Sequence, residues 1–493
     1  MKLSVAFTTL AGAAAIASSA AADGGYYSGA LGARAAGRSG AFAARADDPT
    51  AVQYNPAGLA NINGTMVMVG DRVSYNEYAY TRAPTDDWGH PLDAAGTMAP
   101  RVPFAEVRNS TPWQGLEPLV IVAFNLGLHD WGFAVGAFAP PGVSKYTFPD
   151  NGGQNYLMLS REAIFLNYAA SAAWKYHDLF GFGATAEWIV VPRLNYSLMI
   201  DGSPFQYANN PVSSDLDMIA TTKGSDYFTF NAILGAWFRP LRSLQFGVAG
   251  QVVPASIETN STLSITPVNL TMADPPVLTR HQKPANDVSV ILPLPLMARA
   301  GARYRGLAGA REIFDIELDV EYETWSRVNQ FTLDTHDLTA TFQGSPVPLG
   351  KIGIAKHWRD TVAFKLGGDW AVVPDRLTLR GGAFYETAVA DPAYANVDFP
   401  GGPMFGGSIG SSLWFGHWEL ALAYQLRRQV QVSVAEADAR VYQQAPASGC
   451  VANPGDPLYC SPHFAPGQTS PVVNAGTYDA TSHYLVLALL YRF

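Results

Sequence analysis

From about residue 64 to the C-terminus the chain alternates apolar and polar residues, and the connections between the alternating runs are by turns very short and long. In 180 to 190 the even positions are Phe180, Phe182, Ala184, Ala186, Trp188 and Val190, while the odd ones include Gly181, Gly183, Thr185 and Glu187. A run with one greasy face and one polar face is a half-buried strand. The pattern recurs often enough to predict fourteen strands, starting near 65, 118, 131, 162, 180, 225, 243, 290, 311, 360, 376, 404, 417 and 479. Tight turns ("GLHD", "HDL", "RPLRS", "GLAGA", "VPD", "GH") join alternate pairs of strands. Long connections fill the other gaps: 83 to 117, 141 to 161, 200 to 224, 257 to 289, 331 to 359, 388 to 403 and 433 to 478. Short turns at one end and long loops at the other predict an all-β fold, a 14-stranded antiparallel transmembrane β-barrel over residues 64–493.

Composition agrees where it is unusual. Only 15% of residues are charged, against a usual quarter, alongside 23 Tyr, 25 Phe and 11 Trp. Trp131, Trp174, Phe180, Phe238, Trp370, Trp418 and Tyr491 all fall near a tight turn or the chain end, as an interface girdle requires. A soluble β-sandwich with buried aromatics would order its connections no particular way. The net charge of −9 argues against a nucleic-acid partner. Residues 1–22 read as a secretory signal peptide, with Lys2, an apolar run to Ala17 and a small-residue site before Asp23. No later apolar run reaches the eighteen or so residues of a membrane helix. Cys450 and Cys460, in a Pro/Gly-rich loop of an exported chain, are expected to form one loop-closing disulfide. A metal there would need further ligands, and only His463 is near in sequence, so no metal is assigned.

Residues 23–63 break the pattern, with eleven Ala and seven Gly among 41 residues. They contain two helix starts, Asp48-Pro49 and Asn55-Pro56, each an Asx cap followed by a proline with no N–H to leave unpaired. A barrel of fourteen strands is too wide for its own side chains to fill. A small-residue segment of short, self-capped helices suits a hatch, or plug, inside that bore.

The segment "GALGARAAGRSGAFAARADDPTAVQYNPAGLA" (29 to 60), with Asn55, Pro56, Ala57 and Gly58 as its motif, resembles the N-terminal hatch of the long-chain fatty acid transporter (FadL) family of bacterial outer-membrane proteins. The similarity extends through "LPLPLMARAGARYR" (292 to 305), "DVEYETWS" (319 to 326) and "LTLRGGAFYE" (377 to 386). The resemblance implies an outer-membrane uptake channel in which hydrophobic molecules, long-chain fatty acids by default and aromatic hydrocarbons as the variant, diffuse through a greasy pocket and leave sideways into the membrane lipids. It implies no cofactor and no chemistry. It also implies a third strand kinked to open the wall, for which Gly132, Gly136 and Pro140 are the candidates, and a mature N-terminus near the ligand, where Tyr26 and Tyr27 stand. Phe148 and Tyr156, with Phe205 and Tyr207 in the next long loop, are candidates for initial capture or for packing the loops together. Leu485, Leu487, Leu489, Tyr491 and Phe493 resemble the terminal strand recognised by the barrel-assembly machinery. A monomer is expected.

Alternation alone places Asp315, Glu317, Asp319, Glu321 and Glu323 on one face of the ninth strand, facing the lumen if the opposite face meets lipid. Arg299 and Arg303 lie on the polar face of the eighth strand, and the hatch carries Arg34, Arg38 and Arg45. Pairing of hatch arginines with this ladder is the expected means of holding the plug. Carboxylates two apart on a strand suit a glycosidase pair in spacing, but a barrel wall supplies such ladders without catalysis. "GGSIG" (406 to 410) and "GFGATA" (181 to 186) mimic a nucleophile elbow and a dinucleotide fingerprint inside strands, outside the strand–turn–helix context either requires. A general diffusion porin, needing an open polar lumen, and an outer-membrane lipolytic enzyme, needing a Ser–His pair, are the alternatives, and the plug argues against the porin.

Overall fold

The computed structural model describes residues 29–84, 103–115, 117–140, 145–201, 217–268, 277–279, 288–336, 338–342, 345–348, 351–399, 401–443 and 472–493. Fourteen antiparallel strands form one closed wall. In chain order they are β1 (Thr65–Arg82), β2 (Leu119–Phe124), β3 (Trp131–Phe138), β4 (Ser160–Tyr176), β5 (Phe180–Ile200), β6 (Met218–Leu241) and β7 (Leu244–Gln251). They continue as β8 (Met297–Ala308), β9 (Arg311–Glu323), β10 (Thr361–Val373), β11 (Leu377–Glu386), β12 (Met404–Phe415), β13 (Trp418–Gln429) and β14 (Gly476–Arg492). Each pairs with the next, and β14 closes on β1 from Met66↔Arg492 to Arg82↔Gly476. In hydrocarbon no edge strand could leave its N–H and C=O groups unpaired, so closure is obligatory. Most outward positions are apolar, Asp71 between the outward Val69 and Val73 being an exception, and Trp131, Phe238, Trp370 and Trp418 face outward near the short turns.

Three strands rise further than hydrophobic alternation indicates. β7 resumes as Ser256–Pro267 after Pro254, β9 is followed by Gln330–Asp334, and β10 is preceded by Lys351–Ala355, while β8 is preceded by Val288–Pro293, where the start near 290 is expected. β6 likewise starts at Met218 rather than near 225. In Ser256–Pro267 the inward residues Ile257, Thr259, Ser261 and Leu263 are buried, while Glu258 and Asn260 face out. Above the bilayer the outward face need not be greasy, so the apolar alternation ends where the membrane does and the strand goes on.

The third strand also differs from expectation. Gly132 and Gly136 sit in an unbroken ladder, paired with Ala173 and Ala169 of β4. β2 and β3 are paired up to Leu119↔Phe138, and Ala139 N donates on to Pro118 O at 2.9 Å. Pro140 follows, with no N–H to give a ladder, and the next described contacts are those of Gln114 with Lys145 and Ser110 with Thr147.

Inside the bore lies the hatch. Helix α1 (Ala33–Ala36) rests against β12, β13 and β14, and a 3-10 helix (Pro56–Asn61) rests against β3 to β6. Between them α2 (Ala51–Tyr54) starts two residues later than the Asp48-Pro49 signal indicates, because Asp48 Oδ1 accepts Thr50 N at 2.8 Å in a turn that precedes the helix. The Asn55-Pro56 start is where the sequence puts it, with the Asn55 side chain accepting from Ala57 N at 3.2 Å.

Glycines line the wall where the hatch backbone touches it. A Cβ on Gly132 would lie 2.2 Å from Leu59 O, on Gly183 2.4 Å from Ala57 N, and on Gly247 2.2 Å from Ala43 O. Gly132 is thus a seat for the hatch. A Gly183→Val variant is expected to lower the unfolding free energy by about 1–3 kcal/mol through overpacking, measured by urea titration in lipid vesicles. Gly115→Val, where nothing lies within 4 Å, is expected to match wild type.

Candidate functional site

The floor of the lumen is the hatch seated on β9. Arg38, fully buried, donates from Nη1 to Asp315 Oδ1 at 2.8 Å and to Asp369 Oδ1 at 2.7 Å, and from Nη2 to Glu317 Oε2 at 3.0 Å. Its Nε donates to Ala41 O at 2.9 Å, so the guanidinium also braces its own turn. The carboxylates bind hatch backbone as well. Asp319 Oδ2 accepts Phe42 N at 2.7 Å and Ala43 N at 2.8 Å, and Glu317 Oε1 accepts Ala44 N at 2.7 Å. These N–H groups belong to no helix, and charge-assisted bonds satisfy them inside the barrel. Burial by itself would lower the Arg38 pKa, but the Asp315 and Asp369 charges hold it above its ordinary value. Burial pushes the Tyr54 phenol up to about 12, and its oxygen accepts Leu31 N at 2.9 Å.

Arg45 joins Asp315 at 3.2 Å and Asp369 at 3.1 Å. Arg34 does not reach the ladder. It pairs with Asp47 at 3.0 Å within the hatch and lies 3.7 Å from Glu419 of β13, because α1 sits on the far side of the bore. From β8, Arg303 pairs with Asp315 at 2.5 Å and Arg299 with Glu321 at 2.9 Å, and Arg299 also donates to Gln53 O at 2.9 Å.

Above this floor the lumen wall is polar and then becomes an aromatic chamber. Trp325, Trp358, Phe331 and Phe399 pack edge to face, with ring centroids 5.3 Å apart for the two tryptophans, 5.6 Å for Phe331 with Trp358 and 5.7 Å for Trp358 with Phe399. The same buried cluster runs down through Ile257 and Val191 to Phe165 of β4. A second cluster, containing Tyr78, Tyr80, Tyr146 and Met199, covers the β1 and β14 side. Two buried cations stand among these rings. The Arg161 guanidinium lies 4.0 Å from the Phe399 ring centroid and 4.5 Å from that of Tyr146. The Lys356 ammonium pairs with Asp398 and lies 4.7 Å from the Phe331 centroid. Arg161 Nε has no hydrogen-bond partner among the described residues. The three groups lie close enough to feel one another's charge.

The seam between β3 and β4 above Phe138 lies beside the lower end of the apolar cluster. On β4, residues between Arg161 and Asn167, Phe165 among them, have no backbone partner on the β3 side among the described residues. At the same height Arg72 of β1 pairs with Glu117, and a small cavity there is lined by Ala30 and Leu31 of the hatch, Ala139, and the outward-facing Leu487.

Phe148 and Tyr156 are buried in the second cluster rather than displayed, and Tyr156 donates its hydroxyl to Asp217 at 2.6 Å. They pack the loop; they are not an exposed capture surface. Tyr26, Tyr27, Phe205, Tyr207, Cys450 and Cys460 lie outside the described residues, as does the expected signal peptide. Arg161, Lys356 and Asp398 carry no sequence motif. The one available signal for Arg161 is its place on the inward register of β4, where it precedes Ala163 and Phe165.

The sequence matches the family model described as outer membrane protein transport protein (OMPP1/FadL/TodX) over residues 13–449. No protein of curated function matches it. A solved Pseudomonas aeruginosa FadL homologue superposes with TM-score 0.70 at 17% identity, covering 95% of this chain and 100% of that one. The Pseudomonas putida toluene transporter TodX gives 0.61 at 13% identity, covering 95% and 99%. The Ralstonia pickettii toluene transporter TbuX gives 0.58 at 13%, covering 94% and 98%. At these identities the likeness is one of fold.

Two substitutions test the seating of the hatch. Arg38→Ala leaves three buried carboxylates facing one another and is expected to cost about 3–5 kcal/mol. Glu317→Ala with Asp319→Ala leaves hatch N–H groups unpaired, at about 1–3 kcal/mol each. Both are expected to raise single-channel conductance and speed proteolysis within 29–64; wild-type conductance and resistance in both would remove the ladder's role.

Proposed function

Because the chain belongs to the outer-membrane protein transport family of FadL and TodX, and is thus an outer-membrane β-barrel channel for hydrophobic transport, we propose that its cargo is an apolar chain ending in one carboxylate, a long-chain fatty acid. The observation that carries this reading is Arg161, a buried cation among the rings whose Nε has no hydrogen-bond partner among the described residues, whereas Lys356 is paired with Asp398 and the buried Glu323 accepts the Trp325 indole N–H. A buried cation is costly unless paired. An apolar tail would then lie along the Trp325–Phe165 cluster.

Release follows the geometry below. A ring of lumen charges that includes Glu187, Arg299, Glu321 and Lys365 stands beneath the apolar cluster, and the hatch closes the bore under it. A greasy ligand gains nothing by entering that polar zone. The proposed exit is sideways, through the β3–β4 seam next to Phe165, where β4 has no described partner, and movement down a gradient through it requires no cofactor and no catalytic step. A single chain closes the barrel, in keeping with a monomer, and the apolar terminal strand ending in Phe493 suits recognition by the barrel-assembly machinery.

A second reading is an aromatic hydrocarbon channel. It is favoured by the edge-to-face rings of Trp325, Trp358, Phe331 and Phe399, which suit a flat apolar guest, and by the toluene transporters of the same fold.

Arg161→Gln, and Lys356→Gln combined with Asp398→Asn so that no carboxylate is orphaned, separate the two. Losing a buried charge contact is worth about 2–5 kcal/mol, so oleate affinity, measured by tryptophan quenching, is expected to fall at least about tenfold while toluene uptake is unchanged. Unchanged oleate binding with toluene uptake lost in Trp358→Ala would establish the hydrocarbon reading.

A further inference from the structure

The outer face of the barrel carries a second built feature, on the wall of β13, β14 and β1. Its height follows from the register. On β14 the outward residues from Tyr491 to Leu485 are apolar, and the next, His483, joins an aromatic patch with Tyr75, Tyr424 and the 71% exposed Trp113. Tyr491 to His483 is about 27 Å of strand, or about 21 Å of height at a tilt near 40°, which matches an apolar band of about 25 Å. The residues immediately beyond His483 therefore stand at the height of the outer-leaflet headgroups.

At that level the outward side chains form a polar cavity of about 260 Å³, lined by Glu77, Glu106, Arg108, Arg428, Gln431 and Asp479 among others. Arg428 donates from Nη2 to Asp479 at 2.7 Å and from Nη1 to Thr481 Oγ1 at 2.5 Å, and Arg108 donates from Nε to Glu106 at 2.7 Å. Each pairing orients a guanidinium and still leaves N–H groups with no acceptor among the described residues. Glu77 is exposed and has no described partner.

We infer that this cavity holds the headgroup of a phosphorylated glycolipid of the outer leaflet, with its phosphate between Arg108 and Arg428, its sugar donors on Glu77 and its acyl chains against Tyr75 and Trp113. The mixed character of the lining selects this class. Phosphate oxygens accept only and need the arginines. Glu77 needs donors beside the phosphate, and the hydroxyls and amide N–H groups of a phosphorylated sugar supply several on a rigid ring where an ethanolamine or glycerol headgroup offers only a few on a flexible arm. Trp and Tyr at an interface cover the junction of chain and headgroup. The site is separate from the lumen and independent of what passes through it.

The test uses full-length protein extracted from outer membranes in mild detergent, with lipid A counted per barrel by native mass spectrometry. Wild type is expected to retain lipid A. Arg108→Ala with Arg428→Ala is expected to retain about tenfold less, while Arg193→Ala, an exposed arginine of β5 on another face, retains the wild-type amount. Heat-modifiable migration on gels confirms that each variant folds. In vesicles, lipid A is expected to raise the melting temperature of wild type above that of the double variant, whereas phosphatidylglycerol alone does not. Equal lipid A retention in all three proteins, or equal stabilisation by phosphatidylglycerol, would overturn the inference.

Discussion

Hydrocarbon offers a backbone no hydrogen bonds, and every other feature of this protein follows from satisfying that constraint twice. The wall satisfies it by closing β14 on β1, which leaves a bore too wide for wall side chains to fill. The hatch then fills the bore with a chain whose own N–H groups must also be paired. Its helices are one turn long and bond only part of it internally. The β9 carboxylates supply the rest, Asp319 and Glu317 accepting from Phe42, Ala43 and Ala44. Arg38 offsets the charge those acids bring. An apolar replacement of the ladder would remove acceptors the hatch backbone uses, which distinguishes this network from buried ion pairs that hydrophobic residues replace without loss.

Chemistry is layered along the barrel axis. The hatch and its charges form a polar floor that water-loving groups can share and a hydrocarbon chain cannot. The aromatic chamber above it is greasy except at Arg161 and Lys356. Between the two, at the height of Phe165, the β4 backbone has no partner on the β3 side among the described residues. The outer surface has its own layering, with lipid-facing residues giving way to aromatics at Tyr75 and His483 and then to ions at Arg428 and Asp479.

Hydrophobic alternation and turn length, both local, carried much of the architecture. Fourteen strands, their inward and outward faces, the small-residue plug and the inward aim of Asp315 to Glu323 all follow from a period of two and from a composition that cannot build a core of its own. What local pattern missed has a common cause. The upper parts of β7, β9 and β10 were hidden because above the bilayer an outward Glu258 is as acceptable as a leucine. Gly132 and Gly136 read as a kink, yet they lie in paired strand, and the reason for Gly132 is a hatch carbonyl from 73 positions earlier in the chain.

The sequence by itself therefore determined the class of fold, the number of strands and which face of each meets lipid, since these depend on the solvent each residue sees and solvent is written in side-chain polarity. Tertiary structure alone decided that Arg38 and not Arg34 seats the plug, and that Arg161, Lys356 and Asp398 meet among one set of buried rings. Those contacts join residues far apart in the chain, and barrel closure sets their distances through register and stagger, which no single strand encodes.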